Sequence, residues 1–168
     1  MSESIKKGDI SYLLVDDDNV DKMAIRRAFK QSNIANPLYT ADSGAEALEL
    51  LQSSPSLRLA SHVVILLDIN IPKMTGIEFL EELRQNSCLK SIPVIVLTTS
   101  TEEKDRAAAY DLNVLSYIVK PVKFSILVDI VKTLDKYLSH CVLPLTAMGN
   151  NAAQIPSPVD SRYDDVGL

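Results

Sequence analysis

The tightest constraint on this chain is a set of short, almost wholly apolar runs, each followed by a stretch of helical periodicity. The runs are Ser11 to Val15, Pro37 to Thr40, Val63 to Leu67, Ile92 to Leu97 and Val114 to Val119. The first, third and fourth lack polar alternation, so as strands they must be covered on both faces, which makes them central. Between the runs, Gly44, Ala47, Leu48 and Leu51 share one helical face, as do Gly76, Phe79, Leu80 and Leu83, and later Ile126, Leu127, Ile130, Val131, Leu134 and Leu138. Each stripe can pack on a sheet. The alternation predicts an α/β fold with a parallel, doubly wound sheet. With 168 residues there is room for one such domain, and no second folded output domain is expected.

Helix starts are marked by a hydroxyl followed three residues later by Glu: Ser43 with Glu46, Thr75 with Glu78, and Ser100 with Glu103. The first helix, around Val20 to Lys30, has Asp18 or Asn19 to cap it, with Met23, Ala24 and Phe29 expected to face inward. This organises the chain into an N-terminal lead (1–9), a domain (10–139) and a tail (140–168). The tail carries Pro144, Pro156 and Pro158 without sustained periodicity, and is expected to be mostly disordered. Its first residues, Cys141 to Leu145, are apolar enough to dock on the domain or on a partner.

Composition narrows the function. A formal charge of -5 disfavours binding to a phosphate backbone, so no nucleic-acid partner is expected. The five glycines are too scattered for a phosphate loop or a dinucleotide fingerprint. Cys88 and Cys141 offer neither a zinc spacing nor a disulfide framework. No run approaches the roughly 18 apolar residues of a membrane span, so a cytoplasmic protein without a membrane partner is expected.

In an open α/β sheet, ligands bind beyond the carboxyl ends of the strands. The first strand is followed by Asp16, Asp17 and Asp18, and the third by Asp68. The fourth ends at Thr98, Thr99 and Ser100, and the fifth runs into Lys120 and Pro121. In the common five-stranded order, the first and third strands are neighbours, which brings Asp16 and Asp17 within reach of Asp68. Two like charges 4 Å apart repel by about 4 kcal/mol at an effective dielectric near 20, so such carboxylates call for a cation. Mg²⁺ suits an all-oxygen site that leaves coordination free for phosphate. Beside it, Asp68 could attack phosphorus and hold an acyl phosphate, flanked by the Lys120 cation and the Thr98 hydroxyl. Taken singly, each residue has a plainer role: the Asp run can cap a helix, Thr98 can be a strand residue, and Lys120 a solvated loop residue. A carboxylate directly after VVILL needs a partner or a task.

YLLVDDD, LLDINIPKMTG, PVIVLTTS and SYIVKP, spread over roughly Ile10 to Ser139, resemble the receiver domains of two-component response regulators. The resemblance implies a flavodoxin-like (βα)5 fold with strand order 2-1-3-4-5. It makes Asp68 the phosphoacceptor, Asp16 and Asp17 the acidic pair for Mg²⁺, and Asn70 a metal ligand through its backbone carbonyl. Lys120 would contact the phosphoryl oxygens, Thr98 would be the switch hydroxyl and Tyr117 the aromatic switch. The Lys120-Pro121 bond would be cis. Where receivers often carry Asp before the third helix, this chain has Thr75, which also caps.

The LLDINIPK signature and the tail look most like the small regulators paired with bacterial and cyanobacterial phytochromes. The implied partner is a sensor histidine kinase, with a homodimer through the face of the fourth helix, fifth strand and last helix. The protein would be a phosphoacceptor in signalling, not an enzyme in its own right. Two rivals stand beside this reading: a never-phosphorylated scaffold, and a phosphohydrolase, which would favour Asp where Asn70 stands.

Overall fold

The structure is a computed structural model that describes residues 10–146. The predicted lead, and the tail beyond residue 146, lie outside the described residues. Five strands, β1 (Ile10–Val15), β2 (Leu38–Ala41), β3 (His62–Leu67), β4 (Val94–Thr98) and β5 (Ser116–Val119), form one sheet in the order β2-β1-β3-β4-β5. Every pairing is parallel. The helices are α1 (Asn19–Gln31), α2 (Gly44–Ser53), the single turn α3 (Pro55–Arg58), α4 (Gly76–Gln85), α5 (Glu103–Asp111) and α6 (Phe124–Leu138).

The aliphatic runs form strands because their alternate residues feed two different cores. Leu13, Val15, Val63, Ile65, Leu67, Val94 and Val96 join Phe79, Leu80 and Leu83 of α4 on one side. Ile10, Tyr12, Leu14, Val64, Leu66, Ile95 and Leu97 meet α1 and α6 on the other. Tyr12 also ties the sheet to α6, its hydroxyl donating to Asp135 Oδ1 at 3.0 Å. Pro37 and Ile92 precede their strands, while Ala41 and Thr98 extend them.

Three local expectations change. Met23 is 69% exposed, and the inward residues of α1 are Lys22, Ile25, Ala28 and Phe29. At 100° per residue Met23 sits about 200° from Ile25, on the opposite side of the helix. Ile126 of α6 is exposed for a similar reason, its neighbour Leu127 taking the inward position. Thr75 and Glu78 form the complete reciprocal cap and Ser43 caps Glu46, but Ser100 does not start α5. Its hydroxyl is committed to Asp105 at 2.7 Å, and the helix begins only at Glu103.

After α6, residues 141–146 return to the amino-terminal end of the sheet. Leu143 packs against the α1 and α6 core, and the Thr146 N–H donates to the Ser61 carbonyl at 2.9 Å. The Thr146 hydroxyl accepts from the Val63 N–H at 3.0 Å. No helix among the described residues is long and apolar enough to cross a membrane.

Candidate phosphoryl-acceptor and metal site

Parallel strands of one register end together, so the residues just beyond their carboxyl ends converge. Val15 pairs with Leu67, and the Asp68 N–H donates to the Val15 carbonyl at 2.9 Å, extending the ladder by one residue. Asp16 does the same on the other flank, donating to Ala41 at 3.0 Å. The Lys120 N–H donates to the Thr98 carbonyl at 2.7 Å and continues the β4–β5 pairing. Asp16, Asp68, Thr98 and Lys120 are therefore fixed by backbone pairing before any side-chain contact is counted.

Lys120 Nζ is the hub. It donates to Asp16 Oδ2, Asp21 Oδ2 and Asp68 Oδ2, each at 2.7 Å. Asp68 Oδ1 accepts from Thr98 Oγ1 at 2.7 Å and from the Asn70 N–H at 3.0 Å. Thr98 is fully buried, Asp16 equally so, and Asp68 is nearly so. Thr98 Oγ1 also accepts the Ser100 N–H at 3.2 Å, and the Ser100 carbonyl accepts the Tyr117 hydroxyl at 3.2 Å. A continuous path of hydrogen bonds thus joins Asp68 to Tyr117.

Gly76 lets the floor of the site close. A Cβ there would lie 2.6 Å from the Asp68 carbonyl and 2.7 Å from Ile69 Cα, so only glycine allows α4 this close to the strand end. The Gly76 N–H in turn donates to the Ile69 carbonyl at 2.9 Å.

The titration of the cluster is set by its contacts. Burial alone would raise the Asp68 pKa, but the Lys120 ammonium, the Thr98 hydroxyl and the Asn70 N–H together hold it below the usual carboxylate range. Asp68 is an anion at neutral pH. For Asp16, burial outweighs the help of Lys120 and the Asp18 N–H, and its pKa is raised. Burial works against the charge on Lys120, yet hydrogen bonds to Asp16, Asp21 and Asp68 more than offset it, so the ammonium persists.

The carboxylate oxygens of Asp16, Asp21 and Asp68 lie within 4.8 Å of one another. Three carboxylates face one ammonium, so negative charge is in excess, and every donor is a hard oxygen. That excess of hard, anionic oxygen around Asp16 and Asp68 suits a divalent cation such as Mg²⁺, while Asp21 borders it from the Lys120 side. Asp17, expected beside Asp16 in the acidic pair, is exposed and stands outside this group of three. Asn70 is exposed, with its N–H on Asp68 Oδ1. Asp21 is a site residue that the strand-end pattern misses. Its signal is its place in the first turn of α1, where side chains tilt back toward the preceding strand end. None of the described peptide bonds is cis, so the cis form expected for Lys120-Pro121 is replaced by trans. Trans is the lower-energy isomer, and Lys120 reaches all three carboxylates with it.

Residues 12–132 match the response regulator receiver domain. The chain belongs to that family. Among its relatives is the response regulator Rcp1 of Synechocystis sp., 37% identical over 134 residues that span 79% of this chain and 91% of Rcp1. The probable methanogenesis regulatory protein FilR2 of Methanothrix harundinacea is 33% identical, spanning 82% and 93%. The phosphorylated cyanobacterial phytochrome response regulator RcpA superposes with a TM-score of 0.71 at 38% identity, covering 80% of this chain and 97% of RcpA. The Mn²⁺-bound form of Rcp1 gives 0.69 at 36% identity, covering 80% and 98%. The flavodoxin-like receiver fold, with strand order 2-1-3-4-5, is thereby shared with solved phytochrome-associated regulators.

Proposed function

We propose that this protein is the phosphoacceptor of a two-component relay, taking a phosphoryl group on Asp68 from a phosphohistidine of a sensor histidine kinase. The observation that carries the reading is Asp68 itself: a nearly buried, ionised carboxylate at the end of β3, with Lys120 on one oxygen and Thr98 on the other. An oxygen of Asp68 attacks phosphorus, the new O–P bond forms, and the P–N bond of the donor breaks with its electron pair returning to the imidazole. No general base is required, because the nucleophile carries no proton.

Lys120 and Thr98 set an ammonium and a hydroxyl beside the two Asp68 oxygens, within reach of the phosphoryl oxygens that would arrive there. Asp16, Asp17 and Asp68, with the Asn70 carbonyl, would hold Mg²⁺, which when bound neutralises the gathered carboxylates and the incoming phosphoryl oxygens. The added charge of the acyl phosphate would draw Thr98 toward it. Since Thr98 shares Ser100 with Tyr117, its displacement biases Tyr117 between two packings and changes the face that partners meet.

Relatives whose names associate them with phytochromes favour a light-sensing kinase as donor. The exposed Tyr110, Leu115 and Val119 favour a homodimer through α5, β5 and α6. We assign the protein to the cytoplasm, where such a kinase would present its phosphohistidine. The test is Mg²⁺-dependent, acid-stable but base-labile incorporation of phosphate from acetyl phosphate. Labelling of the wild-type chain and none of Asp68→Ala is expected. Equal labelling of both would overturn the site, and no labelling of either would favour a scaffold that keeps only the fold.

A further inference from the structure

We propose that Asp21 is a positioning residue: it holds the Lys120 ammonium on the α1 side of the site, leaving Asp16 and Asp68 free to turn toward a divalent cation and a phosphoryl group. The inference rests on the reading of Asp68 as phosphoacceptor.

An ammonium has three N–H donors, and Lys120 gives one to each of three carboxylates at 2.7 Å. Two of those acceptors have other duties. Asp16 Oδ1 accepts the Asp18 N–H at 2.9 Å, and Asp68 Oδ1 accepts Thr98 and Asn70. The oxygens these residues have left for a cation are the same Oδ2 atoms that Lys120 occupies. A cation and Lys120 therefore compete, unless a further acceptor retains the ammonium when the Oδ2 atoms turn away.

Asp21 is placed to be that acceptor. It comes from a helix, not from a strand end, its side chain is 35% exposed, and Lys120 is its carboxylate's hydrogen-bond partner among the described residues. A first-turn acid also favours the helix dipole, but that role needs no contact with a lysine 99 residues away. Asp18 supplies the internal comparison: it caps α1 by accepting from Val20 and Asp21 N–H groups and makes no ion pair with Lys120.

The experiment uses the full chain as wild type, Asp21→Asn and Asp18→Asn. Asparagine retains the cap at position 18, so each variant removes one negative charge from the start of α1. Calorimetric titration with MgCl₂ and the labelling rate with acetyl phosphate are measured, together with the NMR signal of the Lys120 ¹⁵Nζ ammonium. Asp21→Asn is expected to weaken Mg²⁺ binding and slow labelling by about fivefold, the scale of a partly exposed charge pair. It should also shift the Lys120 signal, while Asp18→Asn leaves that signal in place and changes binding by less than about twofold.

An unchanged Lys120 signal in Asp21→Asn, or equal effects of the two substitutions, overturns the proposal. Failure of the wild-type chain to bind Mg²⁺ or to label would instead refute the phosphoacceptor reading. The ammonium signal needs neither metal nor phosphate, and still decides whether Asp21 holds Lys120.

Discussion

Two long cations close the two ends of this sheet, and they do so with opposite chemistry. At the carboxyl end, Lys120 gathers three carboxylates. At the amino end, the Arg84 guanidinium of α4 donates to four backbone carbonyls, those of Leu112, Lys90, Ile92 and Asn113, at 2.8–3.1 Å. Carbonyls are neutral, so burial lowers the Arg84 pKa with no anion to oppose it. The arginine satisfies the ends of two loops and stitches α4 to the turns that enter β4 and β5, a geometric task its planar fork suits. Around Lys120, by contrast, negative charge remains in excess and two carboxylates keep duties elsewhere. Arg84 sits among neutral acceptors, as a structural cation does, whereas Lys120 is outnumbered by anions, an imbalance that the proposed phosphoryl transfer would use.

The sharpest way to separate the two is to delete each cation. Lys120→Met should reduce labelling of Asp68 by on the order of a hundredfold, the loss seen when one preorganised donor to a developing charge is removed. Labelling within twofold of wild type would show that the ammonium is structural after all. Arg84→Met should behave inversely. It leaves four carbonyls without their donor and should lower unfolding stability in urea by about 3 kcal/mol, with the labelling rate nearly unchanged. If stability holds while labelling falls, the division between the two ends is wrong.

Gly76→Ala tests the link between them, because α4 carries the floor of the site at one end and Arg84 at the other. Its methyl group would meet backbone at Asp68 and Ile69, which cannot swing aside as a side chain can. Destabilisation of about 1–3 kcal/mol is expected. Because the displaced atom belongs to Asp68, labelling should slow as well, and a loss of stability with an unaltered labelling rate would place the strain away from the site.

This contrast also marks how much is legible in the sequence. Asp68, Asp16, Thr98 and Lys120 follow strand ends, and parallel registers bring strand ends together, so local pattern and topology are enough. The central runs are legible because residues buried on both faces leave no polar alternation. Asp21 is less visible, since it comes to the cluster from a helix whose apolar residues suggest an inward face through Met23 and not through Ile25. Arg84 is not legible at all. Its four acceptors are ordinary backbone groups, two in the loop that follows α4 and two in the turn that follows α5, and carbonyls leave no mark in a side-chain pattern. Ser100 misleads for a related reason: its spacing to Glu103 matches a cap, but a tertiary partner, Asp105, claims its hydroxyl.

The smallest expected effect lies at the amino end of α4. Glu78 accepts the Thr75 N–H at 2.7 Å and the Thr75 hydroxyl at 2.9 Å, and these bonds hold its pKa below the ordinary glutamate value. A carboxylate whose pKa falls on folding contributes stability that is fully present above the unfolded value of 4.5 and lost as pH drops through the lower, folded one. Gln at this position keeps the capping geometry without the charge. Urea midpoints of wild type and Glu78→Gln, followed from pH 7 downward, should therefore differ slightly at neutral pH and converge in acid. Parallel curves across that window would mean that the Glu78 charge adds nothing to the cap, and that the hydroxyl of Thr75 alone starts the helix on which both ends of the sheet depend.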